Sequence, residues 1–217
     1  MEIGPNIQSP REEAVNSLLH LAGFVFSLAA VTALVALASL NGTTRHIVSC
    51  SIYGGTLLVL YLSSTLYHSL PWGTAKKLFR YFDHSSIFLL IAGTYTPFTL
   101  VTLRGEWGWS LFGAIWGMAV IGILMRVFIE KQHPLVSTIY FLLMGWLIVI
   151  AIKPLVAAMP LGGFEWLAAG GLFYTAGVIF YGLDRFRYFH AVWHLFVMAG
   201  SACHFFSIFL YVLPRPQ

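Results

Sequence analysis

The chain predicts an all-α integral membrane protein, a bundle of seven transmembrane helices, on three observations. Hydrophobic residues make up 59% of its 217 residues and charged residues only 9%, a balance outside that of soluble domains. Seven stretches lack Asp, Glu, Lys and Arg and have about the length a helix needs to cross a hydrocarbon core of roughly 30 Å. Their Leu, Val, Ala and Phe run continuously and do not alternate with polar residues, so the stretches are helices and not barrel strands.

In chain order the spans fall near Asn16–Leu40, Ile47–Tyr67, Ser85–Leu103, Trp107–Met125, Leu135–Ile152, Trp166–Leu183 and Ala191–Leu213. Residues 1–15 form a short cytoplasmic N-terminal segment; residues 16–217 form a single seven-helix domain whose short loops leave no room for a second one. Ala36-Leu37-Ala38 resembles a signal cleavage site, but the apolar run before it is too long for a signal sequence and Glu12 and Glu13 spoil the basic start. The first helix is therefore expected to be retained. Pro97 lies inside the third span and predicts a kink, with Thr94 or Thr96 satisfying the freed backbone. Gly113 and Gly117 read as a small-residue packing face. Trp107, Trp109, Trp146 and Trp166 read mostly as an interfacial belt, and Cys50 and Cys203 as free, buried thiols.

Orientation follows from twelve basic residues. With seven spans, the N-terminus shares a side with the loops after spans two, four and six. Arg11, Lys76, Lys77, Arg80, Arg126, Lys131, Arg185 and Arg187 lie there, eight in all, against four (Arg45, Arg104, Lys153 and Arg215) on the other side. The positive-inside rule places the N-terminus in the cytoplasm and the C-terminus outside. The net charge of +4 reflects this bias and the anionic lipid surface, and calls for no nucleic-acid partner.

Depth then gathers four polar residues. His68 closes span two, Asp83 precedes span three, and His190 opens span seven with His194 one turn deeper, so all four fall at the cytoplasmic end. Ionisable side chains in the membrane are costly and mark working sites. At i and i+4, His190 and His194 share a face, separated by about 6 Å of rise. That spacing suits two ligands of one metal ion, with His68 as a third. Three imidazoles and an open position suit catalytic zinc; calcium or magnesium would need more oxygen ligands. Haem ligation by His68 with His190 or His194 leaves Asp83 unexplained, and a set of merely interfacial histidines leaves the common depth unexplained. Ser64, one turn from His68, points toward the same layer. His20, with Asn16 and Ser17, is either a supporting residue or an interfacial histidine. His84 points about 100° away from Asp83 around the helix, and His204, about 21 Å along from His190, reads as an interhelical hydrogen-bonder. His46 and His133 read as loop residues.

Ser64-Thr65-Leu66-Tyr67-His68, Phe82-Asp83-His84-Ser85-Ser86-Ile87 and His190-Ala191-Val192-Trp193-His194 resemble the motifs of the hemolysin III family, the bacterial branch of the progestin and adiponectin receptor superfamily. The likeness runs nearly the whole length, including Glu12–Ser17 and Ala92–Phe98. It implies a bacterial inner-membrane location, zinc ligation by His68, His190 and His194, Asp83 holding a water at the metal, and Ser64 nearby. It also implies kinship with membrane hydrolases such as alkaline ceramidases. The leading function is thus a zinc-dependent hydrolase of a lipid amide or ester, with membrane lipids as partners and a lipid amide or fatty acid as ligand. The alternatives are a non-catalytic zinc-containing sensor and, last, a pore-forming cytolysin, for which no polar channel-lining stripe is visible.

Overall fold

A computed structural model describes residues 8–128 and 134–214; the readings of His133, Lys131, Arg215 and the first seven residues lie outside them. Seven helices are long and apolar enough to cross a membrane: α1 Pro10–Asn41, α2 Thr44–Ser69, α3 Thr74–Leu103, α4 Gly105–Phe128, α5 Leu135–Ala158, α6 Leu161–Gly182 and α7 Phe189–Val212. The chain is a multi-pass membrane protein. Consecutive helices α1–α2, α2–α3, α3–α4 and α6–α7 pack along their lengths, and α7 returns against α1. This closes the bundle on the helices that carry the polar motifs. In α2, α3 and α7, 56%, 67% and 44% of the most apolar window is enclosed by protein, against 17–22% in the other four. His68, Asp83, His190 and His194 thus sit on the three least lipid-exposed helices, where polar side chains find partners most readily.

Several helices begin earlier than their apolar runs. α1 starts at Pro10, capped by Ser9, whose hydroxyl accepts from the Glu12 amide while the Glu12 carboxylate accepts from the Ser9 amide. That capping box carries Glu12 and Glu13 into the helix, so residues 10–15 are helical and not a loose leader. α3 starts at Thr74, well before Ser85. Lys76, Lys77, Arg80 and Asp83 interrupt the hydropathy of this stretch but not its backbone periodicity. His46 is likewise not a loop residue. It lies in the first turn of α2, buried, with its Nδ1 accepting from the Thr43 amide at 3.1 Å.

Two helices change their winding. After the buried Pro97, α3 continues as a π-helical stretch over Phe98–Leu103. The Thr94 and Thr96 hydroxyls donate to the Leu90 and Ala92 carbonyls, their own preceding turns, and not to the Gly93 carbonyl left without its usual donor. α5 passes through a 3-10 stretch at Leu147–Ala151. The Tyr95 hydroxyl donates to the Met144 and Gly145 carbonyls at 2.9 and 2.8 Å and accepts from the Ile148 amide at 2.8 Å, so the break is satisfied from α3. Trp146 lies at this break, mid-helix, with its indole N–H donating to Thr175, and so does not belong to an interfacial belt. Among the described residues the Gly113–Gly117 face packs against nothing: a Cβ at either position would meet no atom within 4 Å. Cys50 and Cys203 are free and buried.

Candidate metal centre

At one end of the bundle α2 delivers His68 and α7 delivers His190 and His194. One ligand nitrogen from each lies within 4.8 Å of the others. His68 Nε2 and His194 Nε2 stand 3.3 Å apart. Two nitrogens bound to one tetrahedral zinc at 2.0–2.1 Å would be separated by about the same distance. His68 and His194 are buried, and the three rings meet edge to face, with centroids 4.5–5.3 Å apart.

The other nitrogens of two of these rings are already engaged. His68 Nδ1 lies 2.8 Å from Glu13 Oε2. A carboxylate only accepts, so His68 donates from Nδ1, and Nε2 is the atom that faces His194. The second Glu13 oxygen binds Lys76 Nζ at 2.9 Å. Lys76 is itself buried and donates to the Tyr67 and Leu70 carbonyls. His194 Nδ1 stands 2.6 Å from His20 Nε2, and His20 is buried on α1. Hydrogen-bonding partners behind the rings are the means by which metal sites fix the tautomer and orientation of their histidines.

Asp83, on α3, is buried and lies close enough to His68 to interact electrostatically, but it is not among the converging ligand atoms. Ser64, fully buried, approaches the Asp83 carboxyl without closing a hydrogen bond of normal geometry. Among the described residues, seven buried side-chain polar atoms have no hydrogen-bond partner. Three of them, Ser64 Oγ, His190 Nδ1 and His20 Nδ1, belong to this one cluster. Three imidazoles of suitable spacing, bordered by orphaned polar atoms, fit a bound metal ion.

The structure brings together the three histidines grouped from the sequence, His68, His190 and His194, and places Asp83 and Ser64 close by. His20 joins the cluster, whereas Asn16 turns to Gln8 and Ser17 to Ser69 and Thr65. His84 stays outside the triad, its Nδ1 donating to the Arg80 carbonyl at 2.8 Å, yet that same atom is 3.5 Å from Asp83 Oδ2. His204 donates from Nε2 to the Leu167 carbonyl, an interhelical bond as its position requires. Glu13 and Lys76 were missed as site residues. The signal was present in the spacing: Glu13 and His20 are seven residues apart, two turns along one face of α1. Glu12 adds a second tie, accepting at 2.9 Å from the amide of Tyr188, the left-handed residue just before α7.

The fold and cluster define a seven-helix membrane protein with a histidine triad and a buried carboxylate at one end. Residues 8–205 match the family model described as Haemolysin-III related. The chain is 45% identical over 207 residues to Hemolysin-3 of Bacillus cereus, covering 95% of this chain and 94% of that protein. It is 42% identical to the Hemolysin-3 homolog of Bacillus subtilis strain 168, covering 95% and 97%. It is also 30% identical over 171 residues to the human Monocyte to macrophage differentiation factor, covering 76% and 71%. The protein belongs to the haemolysin III family.

Proposed function

We propose that the protein is a zinc-dependent hydrolase that cleaves a lipid amide or ester near the inner leaflet of the bacterial plasma membrane, with a role in membrane lipid homeostasis. One observation carries this reading: three converging imidazoles, two of them oriented from behind, stand beside a buried carboxylate that is not one of the converging ligands. A purely structural zinc site closes its coordination sphere with a fourth protein ligand, whereas three ligands leave a position for water or substrate. Held by His68, His190 and His194, zinc would supply Lewis acidity, bringing the pKa of water toward about 7 and polarising a carbonyl.

The chain's own residues take the remaining roles. Glu13 and His20 hold the ligand rings. Asp83 accepts a proton from the attacking water and passes it to the departing amine or alcohol, as general base and then acid. The Ser64 hydroxyl, otherwise unpartnered, positions the water or the substrate's polar group. The surrounding apolar helices hold the acyl chain and exclude bulk water. By the positive-inside rule this end faces the cytoplasm.

The test compares purified wild type with Asp83→Asn on a panel of lipid amides and esters, with zinc content and thermal stability measured in parallel. The amide is nearly isosteric with the carboxyl but cannot take a proton. Zinc and melting temperature should hold while turnover falls by about 10²–10⁴-fold. Equal turnover by the two proteins would remove Asp83 from the chemistry. A wild type inactive on the whole panel, with Asp83→Asn still altering a cellular membrane phenotype, would favour the non-catalytic sensor.

A further inference from the structure

The opposite end of the bundle carries a second polar feature that the histidine cluster does not use. His68 and Thr44 are at the two ends of α2, separated by about 36 Å of helix rise. Around Thr44 the helices α2, α3 and α4 enclose a cavity of about 180 Å³, lined by Thr44, Arg45, Val48, Leu100, Arg104 and Trp109 among others. Two of these are arginines, and no acidic side chain lines the space. Among the described residues neither Arg45 nor Arg104 forms an ion pair.

The backbone reinforces this positive charge. α2 begins at Thr44 and α4 at Gly105, so both helices bring the positive ends of their dipoles to this rim. Arg104 is the whole connection between α3 and α4. It adopts a left-handed backbone, φ 49°, followed by Gly105 at φ 54°, and its Nε donates to the Val101 carbonyl at 2.7 Å. A left-handed arginine persists only where its surroundings fix it, and here the fixed residue is one of those that line the cavity.

The rest of the lining is two threonines, Thr44 and Thr99, and three apolar side chains, Val48, Leu100 and Trp109. Val48 and Trp109 are exposed on the flank of membrane-spanning helices, so the cavity opens toward lipid. A ligand there meets two guanidiniums and two helix starts at its head, and Val48, Leu100 and Trp109 along its tail. We propose that this cavity is a binding site for an anionic phospholipid, with its phosphodiester between Arg45 and Arg104 and an acyl chain along Val48, Leu100 and Trp109. Guanidinium is the side chain whose fork matches phosphate oxygens, and a zwitterionic choline headgroup would set a cation against this positive rim.

Native mass spectrometry of the full-length protein, titrated with phosphatidylglycerol, phosphatidylcholine or inorganic phosphate, tests the site. Phosphatidylglycerol should bind about tenfold or more tightly than phosphatidylcholine. R45Q/R104Q should abolish that preference, R45K/R104K should retain part of it, and zinc content should stay at the wild-type level. The single R45Q change, in an exposed first turn, should weaken binding even if the double variant folds poorly. Equal binding of the two lipids, or undiminished phosphatidylglycerol binding by R45Q, would overturn the proposal. Inorganic phosphate binding as tightly as the lipid would overturn its lipid source.

Discussion

Glu13 is the residue on which the geometry of the triad most depends. Its two oxygens join His68 to Lys76, so it orients a histidine of the candidate metal centre and neutralises a buried ammonium at once. Removing one partner of a buried ion pair costs about 3–5 kcal/mol, which makes alanine an ambiguous test. Glu13→Gln is sharper, since its carbonyl still accepts from one neighbour while the charge behind His68 is lost. Zinc affinity, measured by competition with a chelator, should fall about 10–100-fold. His20→Phe should lower it in the same range, by leaving His194 Nδ1 without its partner. Unchanged affinity in both variants would make these contacts incidental to metal binding.

Close approach between elements is concentrated where glycine permits it. At Gly93 of α3 a Cβ would collide with Thr56 of α2, a buried, β-branched side chain with little freedom to move; at Gly113 of α4 it would meet nothing. The α2–α3 contact sets the distance between His68 and Asp83, so it affects both stability and the site. Gly93→Ala should destabilise the bundle by about 1–3 kcal/mol through overpacking and lower the melting temperature. Gly113→Ala should be neutral or slightly stabilising, because alanine is the better helix former. Equal melting temperatures for the two variants would mean that α2 and α3 separate more readily than their packing indicates.

For the whole molecule, what the sequence could reveal depended on how far each signal reached. The seven spans were legible because hydropathy is a local property, and the grouping of His68, His190 and His194 because all three fell at the same end of two helices far apart in the chain. The early start of α3 was not, since Lys76 and Asp83 look like loop charges until their partners are known. Glu13 was hidden for the same reason: its meaning lies in His68, 55 residues away. Gly113 and Gly117, which meet no neighbour among the described residues, show that a small-residue spacing does not specify which neighbour it faces. Topology bears on all of this. A reporter fused after Gln217 should read periplasmic and one within the turn between α2 and α3, residues 70–73, cytoplasmic; the reverse pair would move the site to the other leaflet. The most direct test is metal analysis of detergent-purified protein. Wild type should hold about one zinc per chain, and the His68→Ala, His194→Ala double variant should hold almost none, because one remaining imidazole cannot retain the ion. Stoichiometric zinc surviving in that double variant would contradict the metal centre proposed here.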